Sequence, residues 1–217
     1  MKIISFDIGL KTCSVAIEQY DESALSAFQS AAPPKTSRYI RHGEATDAMK
    51  TYIADIARCG SVVHLEKKDL GDQKAFYAGF AFVNLYAWCE ELSEHLTTAD
   101  IILIEQQMNC NKVAIALMYH LQAWLLIHHA NKVVLYPSKN KTRILGAPLK
   151  VDNEKGKLTK VTKYQRKKWS TQQADQMLKL RNDERWHKYI FVDNKSKKDD
   201  LSDVLMQTLS YVVGQQL

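Results

Sequence analysis

The chain has 217 residues and a mass of 24.8 kDa, enough for one domain of generous size with a substantial core. Apolar residues make up 46% and charged residues 25%, which excludes wholesale disorder, and no run reaches the roughly 18 consecutive apolar residues of a membrane span. The net charge of +6 is unevenly placed: residues 131–198 hold 19 Lys/Arg against 6 Asp/Glu, and the remainder holds 11 against 18. One basic stretch in an otherwise acidic chain suits either a polyanion partner or a solvated Lys-rich loop. The first residues, Met1 to Asp7, show neither a signal-peptide apolar run nor an Arg/Ser-rich presequence, so an intracellular protein starting at its first residue is expected. Cys13, Cys59, Cys89 and Cys110 form no CxxC pair; neither a disulfide framework nor a structural zinc site is expected.

Residues 2–6 form an apolar run ending on Asp7, and residues 13–17 form a second; a tight turn through Gly9 joins two strands. Ala31-Ala32-Pro33-Pro34-Lys35 is a breaker, and residues 61–65 read as a third strand. The spacing predicts one long helix from Lys74 to about Leu96. Ile101-Ile102-Leu103-Ile104, ending on Glu105, reads as a central strand buried on both faces. Residues 111–129 are helical, and residues 132–136 form a strand stopped by Pro137. Residues 138–162, with Gly146, Pro148 and Gly156, read as a long basic loop or flap inserted in a single domain spanning 1–217. Residues 163–180 form a basic helix, 189–192 a short strand or a connection, and 199–213 a closing amphipathic helix. This order indicates an α/β domain, a mixed sheet with helices on both faces.

Asp7 and Glu105 each end an apolar strand, where ligands of open α/β sheets collect. Asp200 and Asp203 are three apart on one face of the closing helix. Four such carboxylates suit one or two hard divalent cations, and two cations roughly 4 Å apart suit phosphodiester chemistry. Plain alternatives exist: Asp7 as a turn acceptor, and Asp199 or Asp200 as helix-capping groups. Glu105 has a weaker alternative, because a carboxylate after four aliphatic residues is costly unless paired or bound to a cation. The histidines, His128 and His129 included, read as surface or helix-end groups.

Three segments together resemble one family. Phe6-Asp7-Ile8-Gly9-Leu10-Lys11-Thr12-Cys13-Ser14-Val15-Ala16 is similar to the first motif of the ribonuclease H-like nucleases, and Ile102-Leu103-Ile104-Glu105-Gln106-Gln107 to their second. Lys197-Lys198-Asp199-Asp200-Leu201-Ser202-Asp203-Val204-Leu205-Met206-Gln207 resembles the closing motif of the RuvC-like Holliday junction resolvases, in the branch of poxviruses, related large DNA viruses and fungal mitochondria. The resemblance implies a ribonuclease H-like fold, with Asp7 as the ligand bridging two Mg²⁺ ions (Mn²⁺ a plausible substitute) and Glu105, Asp200 and Asp203 as the other ligands. Asp199 lies about 100° around the helix from Asp200 and reads as a cap or supporting group. The branch also uses a lysine upstream of the last motif, for which Lys167 and Lys168 are both candidates.

The implied reaction is Mg²⁺-dependent hydrolysis that cuts four-way DNA junctions by paired symmetric nicks, leaving a 5′-phosphate and a 3′-hydroxyl. Lys139, Lys141, Arg143, Lys163, Arg166, Lys197 and Lys198 are the expected DNA-phosphate contacts in the basic stretch. Tyr136, Tyr164, Trp169 and Trp186 suit base stacking, with at least two of them expected in the core. Two symmetric nicks imply a homodimer, its candidate interface an apolar face of helix 111–129, which periodicity does not separate from an ordinary buried helix face. A membrane partner and a nucleotide cofactor are not expected, and a viral replication site in the host cytoplasm is favoured over a mitochondrion. An actin-like or sugar-kinase ATPase would need a second subdomain and a Gly-rich phosphate loop, and a non-catalytic binding module would not need all four carboxylates. A ribonuclease H-type or flap nuclease with the same metal chemistry is the main alternative.

Overall fold

In chain order the regular elements are β1 (Lys2–Asp7), β2 (Cys13–Tyr20), α1 (Glu22–Ser26), α2 (Asp47–Arg58), β3 (Gly60–Lys68), α3 (Gln73–Tyr77), α4 (Phe80–Glu91), α5 (Ser93–Thr98) and β4 (Ile101–Gln106). There follow α6 (Lys112–His129), β5 (Val133–Pro137), α7 (Ser138–Ile144), β6 (Lys150–Asp152), β7 (Leu158–Lys160), α8 (Lys163–Leu180), α9 (Glu184–Lys188) and α10 (Lys198–Gln216). The computed structural model describes residues 1–107, 110–129, 132–152 and 157–217. These residues divide into two compact units, Met1–Tyr20 with Val62–Ser138 and Asp21–Ser61 with Lys139–Leu217.

The first unit is built on a five-stranded sheet of order β3-β2-β1-β4-β5. β1 pairs antiparallel with β2 and parallel with β4, which pairs parallel with β5. Alternation sorts the side chains. Ile4 and Phe6 of β1, Val15 and Ile17 of β2, and Ile102 and Ile104 of β4 enter one core with Leu85 and Trp88 of α4 and Leu117 and Leu121 of α6. Phe6 meets Trp88 edge-on, ring centroids 5.6 Å apart. Each such side chain contributes about 1.5–3 kcal/mol on burial. On the opposite face Ile3, Ser5, Ala16 and Leu103 are also buried, as the uninterrupted apolar run of β4 requires.

The helix expected over 74–96 is three helices. Gly79 adopts φ +84°, a left-handed conformation that closes α3 and opens α4. A second break at Leu92 separates α4 from α5.

In the second unit α8 and α10 pack together, and α2 packs on both. The sequence reading assigned no element to 47–58, yet Thr46 caps α2 at its N-terminus and Met49, Tyr52 and Ile56 bury one face. Leu201, Val204, Leu205, Val212 and Val213 make α10 an interior helix. The stretch expected to be a loop over 138–162 contains α7 and a β6–β7 ribbon; Gly156, assigned to that loop, lies outside the described residues. Tyr189–Asp193 is a π-helical turn, not a strand. Among the described residues no helix is long and apolar enough to cross a membrane.

Candidate active site

The parallel register of β1 and β4 runs from Ile3 beside Ile101 to Phe6 beside Ile104. The next step along it is Asp7 and Glu105, neighbours at adjacent strand ends. Both lie on the sheet face opposite the Phe6–Trp88 contact, because side chains alternate. On the flanking strands Ser14 is opposite Asp7, and Tyr136 is opposite Glu105. Ser5 and Ser14, on this same face, have buried hydroxyls without a hydrogen-bond partner among the described residues. Glu105 is 8% exposed, and a carboxylate so buried is costly unless it is paired or bound to a cation. Just past β4, Gln107 Nε2 donates to Asp7 Oδ1 at 3.5 Å. The Gly9 turn is close: a Cβ there would lie 3.0 Å from the Thr12 carbonyl oxygen. Behind it, burial holds the Cys13 thiol well above its usual range, and the nearby Asp7 charge adds to the effect.

The second unit carries the other carboxylates. Asp200 and Asp203, three apart, face α8 and α7 from the first turns of α10. Lys167 of α8 hydrogen-bonds Asp199, and its Nζ is 3.5 Å from Asp200 Oδ1. Partial burial disfavours the charged ammonium, but the Asp199 hydrogen bond and the Asp200, Asp199 and Asp203 charges outweigh it and raise the Lys167 pKa. Burial pushes Asp199 up, and the Lys167 bond and charge more than reverse this, so its carboxyl sits below the ordinary value. Asp203 is held at both oxygens: Ser170 Oγ donates to Oδ1 at 2.7 Å, and Lys141 Nζ lies 3.4 Å from Oδ2.

The two lysine candidates separate by environment. Lys167 faces the α10 carboxylates, whereas Lys168 is exposed. Lys141, expected among the DNA-phosphate contacts, is buried at 7% exposure against Asp203. Lys139, Arg143, Lys163, Arg166 and Lys197 are exposed and Lys198 is half-buried. Of the four aromatics, Tyr136 and Trp186 are buried, Trp169 is half-buried and Tyr164 is 76% exposed. Ser170 and Gln107 escaped the sequence reading. Ser170 lies one helical turn beyond Lys167, and that spacing is the sole local signal for it.

Carboxylate oxygens are the hard donors that Mg²⁺ prefers, and each unit offers them as a pair, Asp7 with Glu105 and Asp200 with Asp203. Among the described residues no group of three or more His, Cys, Asp or Glu side chains forms a ready metal cluster. His128 and His129 close α6 and lean on Trp124, ring centroids 4.4 and 6.1 Å away.

No protein-family model matches the chain. It is 27% identical over 224 residues to uncharacterized protein 97L of invertebrate iridescent virus 3, covering 96% of this chain and 98% of that protein. It is 32% identical over 146 residues to uncharacterized protein 170L of invertebrate iridescent virus 6, covering 61% of this chain and 58% of that protein. Among solved structures, the fowlpox virus resolvase in complex with substrate Holliday junction DNA superposes with a TM-score of 0.58 at 16% identity, covering 99% of each chain. RuvC of Thermus thermophilus superposes with a TM-score of 0.50 at 12% identity, covering 97% of this chain and 95% of that one. The chain therefore has the ribonuclease H-like α/β fold in the form of the RuvC-like resolvases.

Proposed function

We propose that the protein is a Mg²⁺-dependent endonuclease that resolves four-way DNA junctions by paired symmetric nicks. The observation that supports this most is Asp7 beside Glu105 at adjacent strand ends, on a fold shared over 99% of the chain with a resolvase solved on junction DNA.

In this reading Asp7, Glu105, Asp200 and Asp203 are the ligands of two divalent cations, Mg²⁺ or Mn²⁺. When bound, such cations polarise the scissile phosphate and make water nucleophilic at neutral pH. The protein's own groups do the rest. Lys167, kept charged by Asp199 and Asp200, offsets negative charge that develops on the phosphate. Ser170 and Lys141 fix the rotamer of Asp203. The exposed cations Lys139, Arg143, Lys163, Arg166 and Lys197, with the half-buried Lys198, bind the DNA backbone by counterion release.

Two equal nicks call for two equal sites, and a C₂ homodimer supplies them. The outward side of α6 is the proposed contact: Tyr119 and Ile127 are 57% and 79% exposed there, on a helix without Asp, Glu or Arg. No membrane and no nucleotide cofactor enters the reading. The two iridescent-virus relatives support a viral origin, and a viral replication site in the host cytoplasm is the proposed location.

The test is incubation with Mg²⁺ and a labelled immobile four-way junction, beside matched duplex, RNA–DNA hybrid and flap substrates, with Asp7→Asn as control. Paired symmetric nicks in the junction, absent in the variant and without Mg²⁺, are expected. Equal cutting of hybrid or flap would replace the reading with a ribonuclease H-type or flap nuclease, and binding without cutting would leave only a binding module.

A further inference from the structure

The β6–β7 ribbon places Lys150 directly opposite Lys160. Like charges directly opposite in an antiparallel pair are destabilising. Both lysines are on the exposed face, whereas Val151 and Thr159 between them are half-buried. The remaining pair on the exposed face is Asp152 with Leu158, so among the described residues no acid lies directly opposite either lysine. Strands of three residues do not persist alone. This ribbon is extended by one rung, Val161 N–H to the Leu149 carbonyl at 3.1 Å, and is anchored by Leu149 N–H to the His42 carbonyl at 2.8 Å.

The ribbon runs directly into α8, whose start is fixed by a capping box between Thr162 and Gln165. The first turn of α8 contains no acidic residue, although the helix dipole favours acids there. Lys163 and Arg166 occupy it instead. Among the described residues Lys150, Lys160, Lys163 and Arg166 form no ion pair, whereas the exposed Lys50 and Lys179 each face an acid at 3.1 and 2.7 Å. Two separate local arrangements thus hold cations together where the isolated protein gains nothing from them. An external polyanion removes both penalties.

We infer that the ribbon, through Lys150 and Lys160 together with the adjoining Lys163 and Arg166, is a grip on the phosphate backbone of one duplex arm. It rests on the DNA-cleaving reading above for its choice of DNA as the polyanion. The ribbon lysines supply affinity that the carboxylate site does not.

The experiment measures fluorescence anisotropy of a labelled junction and of plain duplex against NaCl concentration, with Asp7→Asn as the parent so that nothing is cut. K150A/K160A is expected to flatten the slope of log K against log salt by about 1.8, from roughly 0.9 for each lost phosphate contact, and to raise Kd about tenfold. K160E is expected to weaken binding further while the melting temperature holds or rises, since opposite charges then meet across the ribbon. Parent-like slopes and Kd values in both variants would overturn the inference, as would a parent that binds no DNA. A parent that binds, with a slope that the variants flatten, while protein with intact Asp7 cuts no junction, would overturn the nuclease reading alone.

Discussion

Ser170 donates its hydroxyl to Asp203 Oδ1 at 2.7 Å, joining α8 to α10 through one partly buried hydrogen bond. Lys141 approaches the other oxygen of the same carboxylate. Asp203 is thus fixed at both oxygens, as a carboxylate needs to be if it is to meet a cation in one geometry.

Ser170→Ala is expected to raise the Mg²⁺ concentration for half-maximal cleavage by about tenfold, the low end of the effect of removing such a supporting partner. Ser170 is 1% exposed, so the variant also loses about 1.5–3 kcal/mol for a hydrogen bond to a charged group. A purely structural serine would lower the melting temperature and leave the metal midpoint unmoved. Cation titration followed by calorimetry separates the two without any turnover.

Lys167 and Lys168 are adjacent in sequence and differ in surroundings. Lys167→Ala is expected to lower the single-turnover cleavage rate by about 10²–10³, the usual effect of removing one group that stabilises transition-state charge. Lys168 is exposed, so Lys168→Ala is expected to change DNA affinity about twofold and leave the rate at saturating junction within twofold of the parent, as removal of one phosphate contact does. Single-turnover cleavage of both variants at saturating junction makes the comparison.

Much of this arrangement is legible in the sequence. Asp7 and Glu105 stand out because each follows a mainly apolar run, and the end of a strand lies at the sheet's rim. The start of α8 follows from Thr162 and Gln165, whose capping box is a local signal. Other features depend on contacts distant in sequence. Lys141 belongs to a basic stretch, and nothing near it foretells burial against Asp203, 62 positions later. The 74–96 segment has continuous helical spacing, yet the left-handed φ of Gly79 and a second break at Leu92 divide it into three helices. β6 and β7 are three residues each with lysines in both, too short and too charged to carry a period-2 pattern.

The buried thiols set an alkaline limit on stability. Burial, with the Glu90 charge beside it, pushes Cys89 from 9.0 up to about 12, and burial raises Cys13 as well. The folded state therefore favours the protonated thiols more than the unfolded chain does. Their contribution is complete below about pH 9, the ordinary thiol value, and is lost as pH rises from there toward 12. For Cys89 the difference is on the order of 4 kcal/mol at the top of that range. Urea unfolding between pH 7 and 11 is expected to show falling stability above pH 9, with a shallower fall in Cys89→Ala. At pH 8 the exposed Cys110 is expected to react with a thiol reagent in the native protein, and Cys13 and Cys89 only after unfolding.

Two glycines share a left-handed backbone and predict different costs. Gly79 has φ +84°, and a Cβ there would meet nothing within 4 Å. Gly79→Ala is expected to lose only the conformational term, about 1–2 kcal/mol. Gly146 has φ +73°, and its Cβ would lie 2.3 Å from Ala45 Cβ and 2.6 Å from Ala45 N. That nitrogen already donates to the Gly146 carbonyl at 3.2 Å, so the two backbones cannot separate without losing the bond. Gly146→Ala is expected to cost at least about 3 kcal/mol, from strain and overlap together. It also reaches the site, because Gly146 lies two residues past the end of α7, which holds Lys141 against Asp203. Below its melting temperature Gly146→Ala is therefore expected to need more Mg²⁺ for cleavage than Gly79→Ala does. Equal metal midpoints in two equally folded variants would mean that the Lys141–Asp203 contact does not depend on the Gly146 turn.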